Sequence, residues 1–342
     1  MTNAYLGRTG VSVSRLTLGT MNFGAFANPD HDNCIRVIHA ALDAGINVID
    51  TADVYSQGES ERIVGKALVG RRRDDVVLAT KFHNQIGEGP NRRGNSRRWI
   101  IRAVEESLSR LGTDYIDLYQ AHRPEPHTDI DETLAAASDL IRQGKIRYFG
   151  TTTFPAHALV EAQFVARERG RERPVTEQPP YSILARGVER DVLPVAEQYG
   201  LGVLPWSPLA GGWLSGKFGR DGTFPTENVR GSKPNPRHDR DQPANQQKLE
   251  RVVQLQKLAD DAGLSLAQLA VAFVLQHPAV TTAIIGPRTE QQLASLLGSD
   301  DVQLSAEVLD RIDEIVPPGT TLNQADEGYL PPALTTPAAR RR

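Results

Sequence analysis

Leu16-Thr-Leu-Gly-Thr-Met-Asn-Phe-Gly24 decides the fold. The stretch reads as a short apolar strand that breaks at Gly19 into a loop. A helical segment follows over 32–44, with Ile35, Val37, Ile38, Ala41 and Leu42 on one stripe and Gly45 as its stop. A strand followed by a helix opens both large parallel architectures. The doubly wound open sheet would carry Gly-x-Gly-x-x-Gly after its first strand to seat a dinucleotide. Here only Gly19 and Gly24 flank Thr20 to Phe23, and that spacing is missing. A closed barrel needs no such motif.

Working outward, the same unit recurs along the chain. Before it, residues 5–14 alternate around Gly and predict a small hairpin. After it, strands are expected at 48–50, 76–81, 115–122, 146–150, 174–178, 202–206 and 279–285. Helical stripes fall at 59–69, 99–111, 130–142, 156–169, 188–199, 246–262, 265–276, 290–297 and 306–315. Strand–helix alternation implies parallel pairing, and eight such units over roughly 250–300 residues match a barrel of eight strands and eight helices. The expectation is α/β, a (β/α)8 TIM barrel over 1–316 as a single domain, with an N-terminal hairpin and extra helices. Residues 216–245, rich in Gly, Pro, Asn and charge, break the rhythm. Residues 317–342 are expected to be an irregular tail.

Composition narrows the function. The chain has 342 residues and a net charge of −3, which gives no electrostatic case for nucleic acid or an anionic membrane. No stretch reads as a signal peptide or a membrane span. Cys34 is the only cysteine, so an internal disulfide and a cysteine-built metal site are excluded; a cytoplasmic enzyme is the expectation. The sequence leaves a homo-oligomer open.

A barrel gathers its chemistry at the C-terminal ends of its strands. Asp50 ends the second expected strand, Lys81 the third and His122 the fourth, and Tyr55 lies in the loop after the second. A buried acid is costly without a cation, so Asp50 calls for Lys81 from the adjacent strand. An ammonium beside a phenol favours phenolate and is expected to lower the pKa of Tyr55. Tyr55 then exchanges a proton with a carbonyl or alcohol oxygen, and His122 orients that oxygen. Such a set needs a hydride for the carbon, and a bound nicotinamide is the natural source.

Asp50-Thr-Ala-Asp-Val-Tyr55 with Ser60-Glu61, Thr80-Lys81, Gln120-Ala-His122-Arg-Pro, Gly150-Thr151, Glu177-Gln178, Trp206-Ser-Pro-Leu209 with Ser215-Gly-Lys217, and Ile285-Gly-Pro-Arg288 resemble the aldo-keto reductase superfamily. The likeness runs in order over roughly 5–315. It leans toward the bacterial branch that includes reductases like potassium-channel β-subunits and the sugar-modifying reductases of actinobacteria. The resemblance implies a (β/α)8 barrel, NADPH as cofactor, and Asp50, Tyr55, Lys81 and His122 as the catalytic four. It further implies that Thr152, Thr153 and Gln178 hold the nicotinamide carboxamide and that Trp206 stacks on the ring. By the same likeness Gly19, Thr20 and Met21, with Asp50, border the nicotinamide ribose. Ser207, Leu209, Gly211 and Lys217, followed by Arg230, would form the pyrophosphate loop. Gly286, Arg288 and Gln292 would meet the adenosine 2′-phosphate, where an arginine favours NADPH over NADH.

Two departures stand out. Thr152 and Thr153 occupy positions where the family often has Ser-Asn or Ser-Arg, and Ser295 and Leu296 replace Glu-Asn at the adenine end. The expected reaction is reduction of an aldehyde or ketone. A nicotinamide-sensing binding subunit and a reductase of nucleotide-linked keto or enoyl deoxysugars are the alternatives. His83, His127, Met21, Trp99 and Trp213 are further candidates for contact with substrate.

Overall fold

The computed structural model describes residues 1–70, 73–218, 235–239 and 241–341. A hairpin opens the chain, β1 (Asn3–Tyr5) pairing antiparallel with β2 (Ser12–Ser14). The parallel strands follow as β3 (Leu16–Gly19), β4 (Val48–Asp50), β5 (Val77–Phe82), β6 (Ile116–Ala121), β7 (Ile146–Thr152), β8 (Thr176–Gln178), β9 (Gly202–Val203) and β10 (Ala283–Ile285). Between and after them lie α1 (His31–Asp43), α2 (Glu59–Leu68), α3 (Arg97–Leu111), α4 (Ile130–Arg142), α5 (Ala156–Arg169), α6 (Val192–Tyr199), α7 (Pro243–Asp261), α8 (Leu266–Gln276), α9 (Glu290–Ala294) and α10 (Ala306–Ile315).

The strand order is β10-β3-β4-β5-β6-β7-β8-β9, all neighbours parallel. The ring is joined at its last seam by the Thr281 N–H donating to Val203 O and the Ile284 N–H donating to Pro205 O, both at 2.9 Å. The expected eight-stranded α/β barrel with its hairpin is therefore the fold. Two expected strands are shorter than the sequence pattern suggests by three residues or more. β9 stops at Val203, before Pro205, which cannot donate to a ladder. β10 begins only at Ala283, although 280–282 still face β9. The start of the expected helix at 188 is a single 3-10 turn, Gly187–Glu189, before α6.

Two cores follow from strand alternation. Inside the barrel pack Val48, Ala79, Leu118, Val175, Leu204 and Ile284, closed at the N-terminal end by Leu6 and Val13 of the hairpin. Outside it, Ile49, Leu78, Tyr119 and Phe149 meet the apolar stripes of the helices. Helix ends follow local chemistry: Asp30, Ser96 and Ser265 cap α1, α3 and α8 with side-chain oxygens. No single described helix is long and apolar enough to cross a membrane.

Residues 317–329 return across the C-terminal face of the barrel. The Arg186 N–H donates to Thr320 O at 2.8 Å, and the Leu322 N–H to Leu184 O at 3.2 Å. Asp326 takes Arg237 at 2.6 Å and also Lys248, so one buried carboxylate ties this strap to 235–239 and to α7. Beyond it come a short helix, α11 (Pro332–Thr335), and exposed residues.

Candidate active site

Sheet register places the chemistry. Asp50 is paired with Ala79, two residues before Lys81, so the Asp50 and Lys81 side chains rise on the same side of neighbouring strands. Lys81 is level with Gln120 on β6, and Thr152 with Gln178 across β7 and β8. The result is a buried cluster at the C-terminal rim. Lys81 Nζ donates to Asp50 Oδ2 at 2.6 Å, to Thr51 O at 2.7 Å and to Tyr55 Oη at 3.4 Å. Its side chain is 0% exposed. Gln178 Nε2 donates to the other oxygen, Asp50 Oδ1, at 2.9 Å, and Gln120 Nε2 does so at 3.4 Å. Asp50 is thereby fixed by both oxygens and cannot swing away from Lys81.

The electrostatics assign protonation states. Burial pulls the Lys81 ammonium down, but Asp50 and the Tyr55 phenol outweigh it and hold its pKa above the usual value. Tyr55 differs from the sequence expectation. Burial raises its pKa more than the nearby Lys81 lowers it, and Asp50 adds to the rise. Desolvation wins because the ammonium is already paired with a carboxylate at 2.6 Å, which cancels much of its field. Tyr55 is therefore a neutral phenol at rest, the form a proton donor needs.

His122 is pushed the other way. Burial, then Lys81, Arg123 and His83, hold its pKa well below the ordinary imidazole value. The ring is neutral. Asn84 Nδ2 lies 3.0 Å from His122 Nδ1, and an amide N–H there requires Nδ1 to be the acceptor. Nε2 then carries the proton. The Tyr55 and His122 rings meet edge to face with centroids 5.9 Å apart.

Around this centre lie the positions assigned by resemblance. Thr152 Oγ1 donates to His122 O at 2.9 Å and lies 3.3 Å from Thr153 Oγ1. Thr153 Oγ1 accepts from Trp206 Nε1 at 3.3 Å. Thr20 is fully buried: its N–H and hydroxyl both donate to Asp50 O, at 2.9 and 3.1 Å, and Ser60 Oγ lies 2.8 Å from its hydroxyl. Gly19 packs so closely on Ile284 that a Cβ there would stand 2.6 Å from Ile284 Cγ2. Met21 is partly exposed beside them. Ser207, Leu209 and Gly211 form a turn in which Ser207, Ala210 and Gly211 have positive φ. Lys217 is exposed just beyond that turn, and Arg230 lies outside the described residues. Gln292 Oε1 accepts the Arg288 N–H at 2.9 Å.

These groups suit a nicotinamide dinucleotide. The threonine hydroxyls and the Gln178 amide can meet a carboxamide, and the partly exposed Trp206 ring offers an aromatic face. Arg288 is partly exposed and Lys217 exposed, and neither enters an ion pair among the described residues. Gly286 is exposed, and a Cβ there would meet only Asn22 Nδ2, at 3.2 Å.

Some candidates are elsewhere. Trp99 and Trp213 belong to the core: Trp99 is buried on α3, and Trp213 stacks on Phe218 at 4.2 Å and donates to Arg237 O. His83, by contrast, stays within electrostatic reach of His122 and is held by Asn95 at 2.9 Å. Other residues at the site carry little signal in sequence. Asn84 lies two residues past β5, and Arg123 follows His122 directly; reading one or two positions beyond each strand end would have found both. Arg237, 5.6 Å from the Trp206 ring centre, and Gly328 come from distant loops that no local pattern links to the barrel mouth. Gly328 has φ of 74° and touches Trp206. Beneath the strap, Thr153, Phe154, Pro180, Arg190, Glu327 and Tyr329 border a cavity of about 230 Å³.

A family model for the aldo/keto reductases matches residues 15–317. The chain is 41% identical over 330 residues to an uncharacterized oxidoreductase, YrpG, of Bacillus subtilis, covering 93% of this chain and 96% of that one. It is 37% identical to a probable voltage-gated potassium channel subunit beta of Oryza sativa, over 91% and 95% of the two chains. It is 38% identical to the aldo-keto reductase YhdN of Bacillus subtilis, over 84% and 85%. With its barrel, its strand-end cluster and these relatives, the chain belongs to the aldo/keto reductase family, a family of oxidoreductases.

Proposed function

We propose that the protein reduces an aldehyde or ketone to an alcohol with NADPH. The observation that carries this reading is the chain Asp50–Lys81–Tyr55, in which a buried, doubly anchored ammonium reaches the hydroxyl of a neutral phenol. NADPH, when bound, supplies the hydride to the carbonyl carbon. Tyr55 gives its proton to the carbonyl oxygen as negative charge develops there, and Lys81 stabilises the phenolate that remains. His122, neutral and protonated on Nε2, orients that oxygen as a hydrogen-bond donor but does not act as the acid. Thr152, Thr153, Gln178 and Trp206 hold the nicotinamide end, and Arg288 favours the 2′-phosphate. The single buried thiol, Cys34, agrees with a reducing, cytoplasmic setting. Steady oxidation of NADPH in the presence of 4-nitrobenzaldehyde, faster than with NADH, tests the reading; no turnover with either cofactor across a panel of carbonyls would overturn it.

A second reading is favoured by the relatives named as potassium channel β-subunits: a binding subunit that senses nicotinamide without steady turnover. In that case the protein would bind NADPH and oxidise it at most once.

A further inference from the structure

Arg123 lies two residues past the end of β6, just after His122, and has no carboxylate partner among the described residues. The other buried arginines are accounted for. Arg73 meets Asp117, Arg110 meets Glu61, Arg186 meets Glu189 and Asp313, and Arg237 meets Asp326. Arg15 makes no ion pair but donates to three backbone carbonyls, of Leu275, Val280 and Thr281. Arg123 uses only Nη1, donating to His122 O at 2.6 Å and to Thr152 Oγ1 at 3.3 Å. Its Nη2 and Nε have no acceptor among the described residues. The guanidinium lies 6.0 Å from the Trp206 ring centre and is partly buried at the barrel mouth.

The surrounding charges do not neutralise it. Lys81 and Asp50 cancel one another. Arg237 and Lys248 share the one carboxylate of Asp326. Glu177 is within electrostatic reach of Arg123, but its oxygens are taken by the Thr151 hydroxyl and the Phe154 N–H. Glu125 stands at the rim, near His83 and Tyr329, and Glu327 lies near Arg190. A half-buried cation with two adjacent, unused donors beside a proton-donating phenol is a preformed seat for a planar anion. The side-on Nη2 and Nε pair matches the two oxygens of a carboxylate.

We propose that Arg123 determines specificity in the proposed reduction by binding a carboxylate carried close to the substrate's carbonyl. The inference rests on the reductase reading for its chemistry, not for its binding. The test uses a matched pair, 3-carboxybenzaldehyde and its methyl ester, with the full chain and NADPH. Arg123→Gln lowers the acid-to-ester ratio of kcat/KM by on the order of tenfold or more, mostly through the KM of the acid, and Arg123→Lys recovers part of it. An unchanged ratio overturns the proposal. So does a variant whose principal loss is NADPH affinity, because Arg123 then serves the cofactor. Calorimetric binding of 3-(hydroxymethyl)benzoate and its methyl ester to the protein with NADP+ decides the point without turnover. Wild type prefers the acid and Arg123→Gln does not; equal preference in the two proteins overturns the proposal. If neither aldehyde is reduced yet the acid still binds through Arg123, the reductase reading fails and this one stands.

Discussion

Lys81 Nζ stands 2.6 Å from Asp50 Oδ2 and 3.4 Å from Tyr55 Oη, so one ammonium links a buried carboxylate to a buried phenol. The pair also bears on stability. Both side chains are almost fully buried, and removing one partner strands the other charge in a low dielectric. Asp50→Asn is expected to destabilise the fold by about 3–5 kcal/mol. Urea unfolding at neutral pH measures it, and a loss below about 1 kcal/mol would show that Lys81 does not depend on Asp50.

Tyr55→Phe separates chemistry from binding. The variant keeps the ring and its edge contact with His122 and deletes only the hydroxyl. Carbonyl reduction is expected to fall by about a hundredfold to ten-thousandfold, with NADPH affinity nearly unchanged. Stopped-flow turnover with 4-nitrobenzaldehyde and fluorescence titration of NADPH supply the two numbers. A variant that reduces carbonyls at the parent rate would remove Tyr55 from the mechanism.

Gly328→Ala probes the strap. A Cβ there would stand 2.6 Å from Trp206 Cζ2 and 3.2 Å from Thr153 Cγ2, at a φ of 74° that costs an L-residue about 1–2 kcal/mol. The strap must lift or Trp206 must turn. The expected outcome is a changed tryptophan emission, weaker NADPH binding and a modest loss of stability. Unaltered emission and binding together would mean that the strap does not constrain the ring.

Much of this was legible in sequence because barrels tie chemistry to strand ends. Asp50, Lys81 and His122 each close an apolar run, and a buried acid demanded the cation that Lys81 supplies. The phenol's pKa moves opposite to the sequence expectation because sequence shows that a cation is near but not that it is already paired. Arg123 sat in plain view beside His122, yet its want of a partner is a statement about every other carboxylate in three dimensions. Trp99 and Trp213 read from sequence as substrate contacts, since an aromatic residue near a strand end looks alike whether it lines the mouth or fills the shell behind it. The strap was unreadable for another reason: Asp326 finds Arg237 and Lys248 across 89 and 78 positions, with no periodicity to announce it.

Glu177 predicts a pH signature that is independent of turnover. Burial lifts its carboxyl to about 7, against the hydrogen bonds from Thr151 and Phe154 and the charge of Arg123. In the unfolded chain a glutamate titrates near pH 4.3. The folded state thus holds this proton more tightly, and the stabilisation that follows is fully present below about pH 4.3 and is lost as the pH rises through about 7. A rise of that size corresponds to at most about 4 kcal/mol over the whole titration, of which roughly 3 kcal/mol falls between pH 5 and pH 8.5. His122 works in the opposite sense: its folded pKa is depressed, so its contribution is present above about pH 6.5 and lost as the pH falls through the lower folded value. Glu177→Gln removes the first effect and leaves the second. The stability of the variant relative to wild type is therefore expected to climb between pH 5 and pH 8.5, by up to about 3 kcal/mol. Urea unfolding at stepped pH reads it directly. A difference that stays flat across that window would mean that Glu177 is ionised throughout, and that the barrel mouth holds one more fixed negative charge than its burial allows.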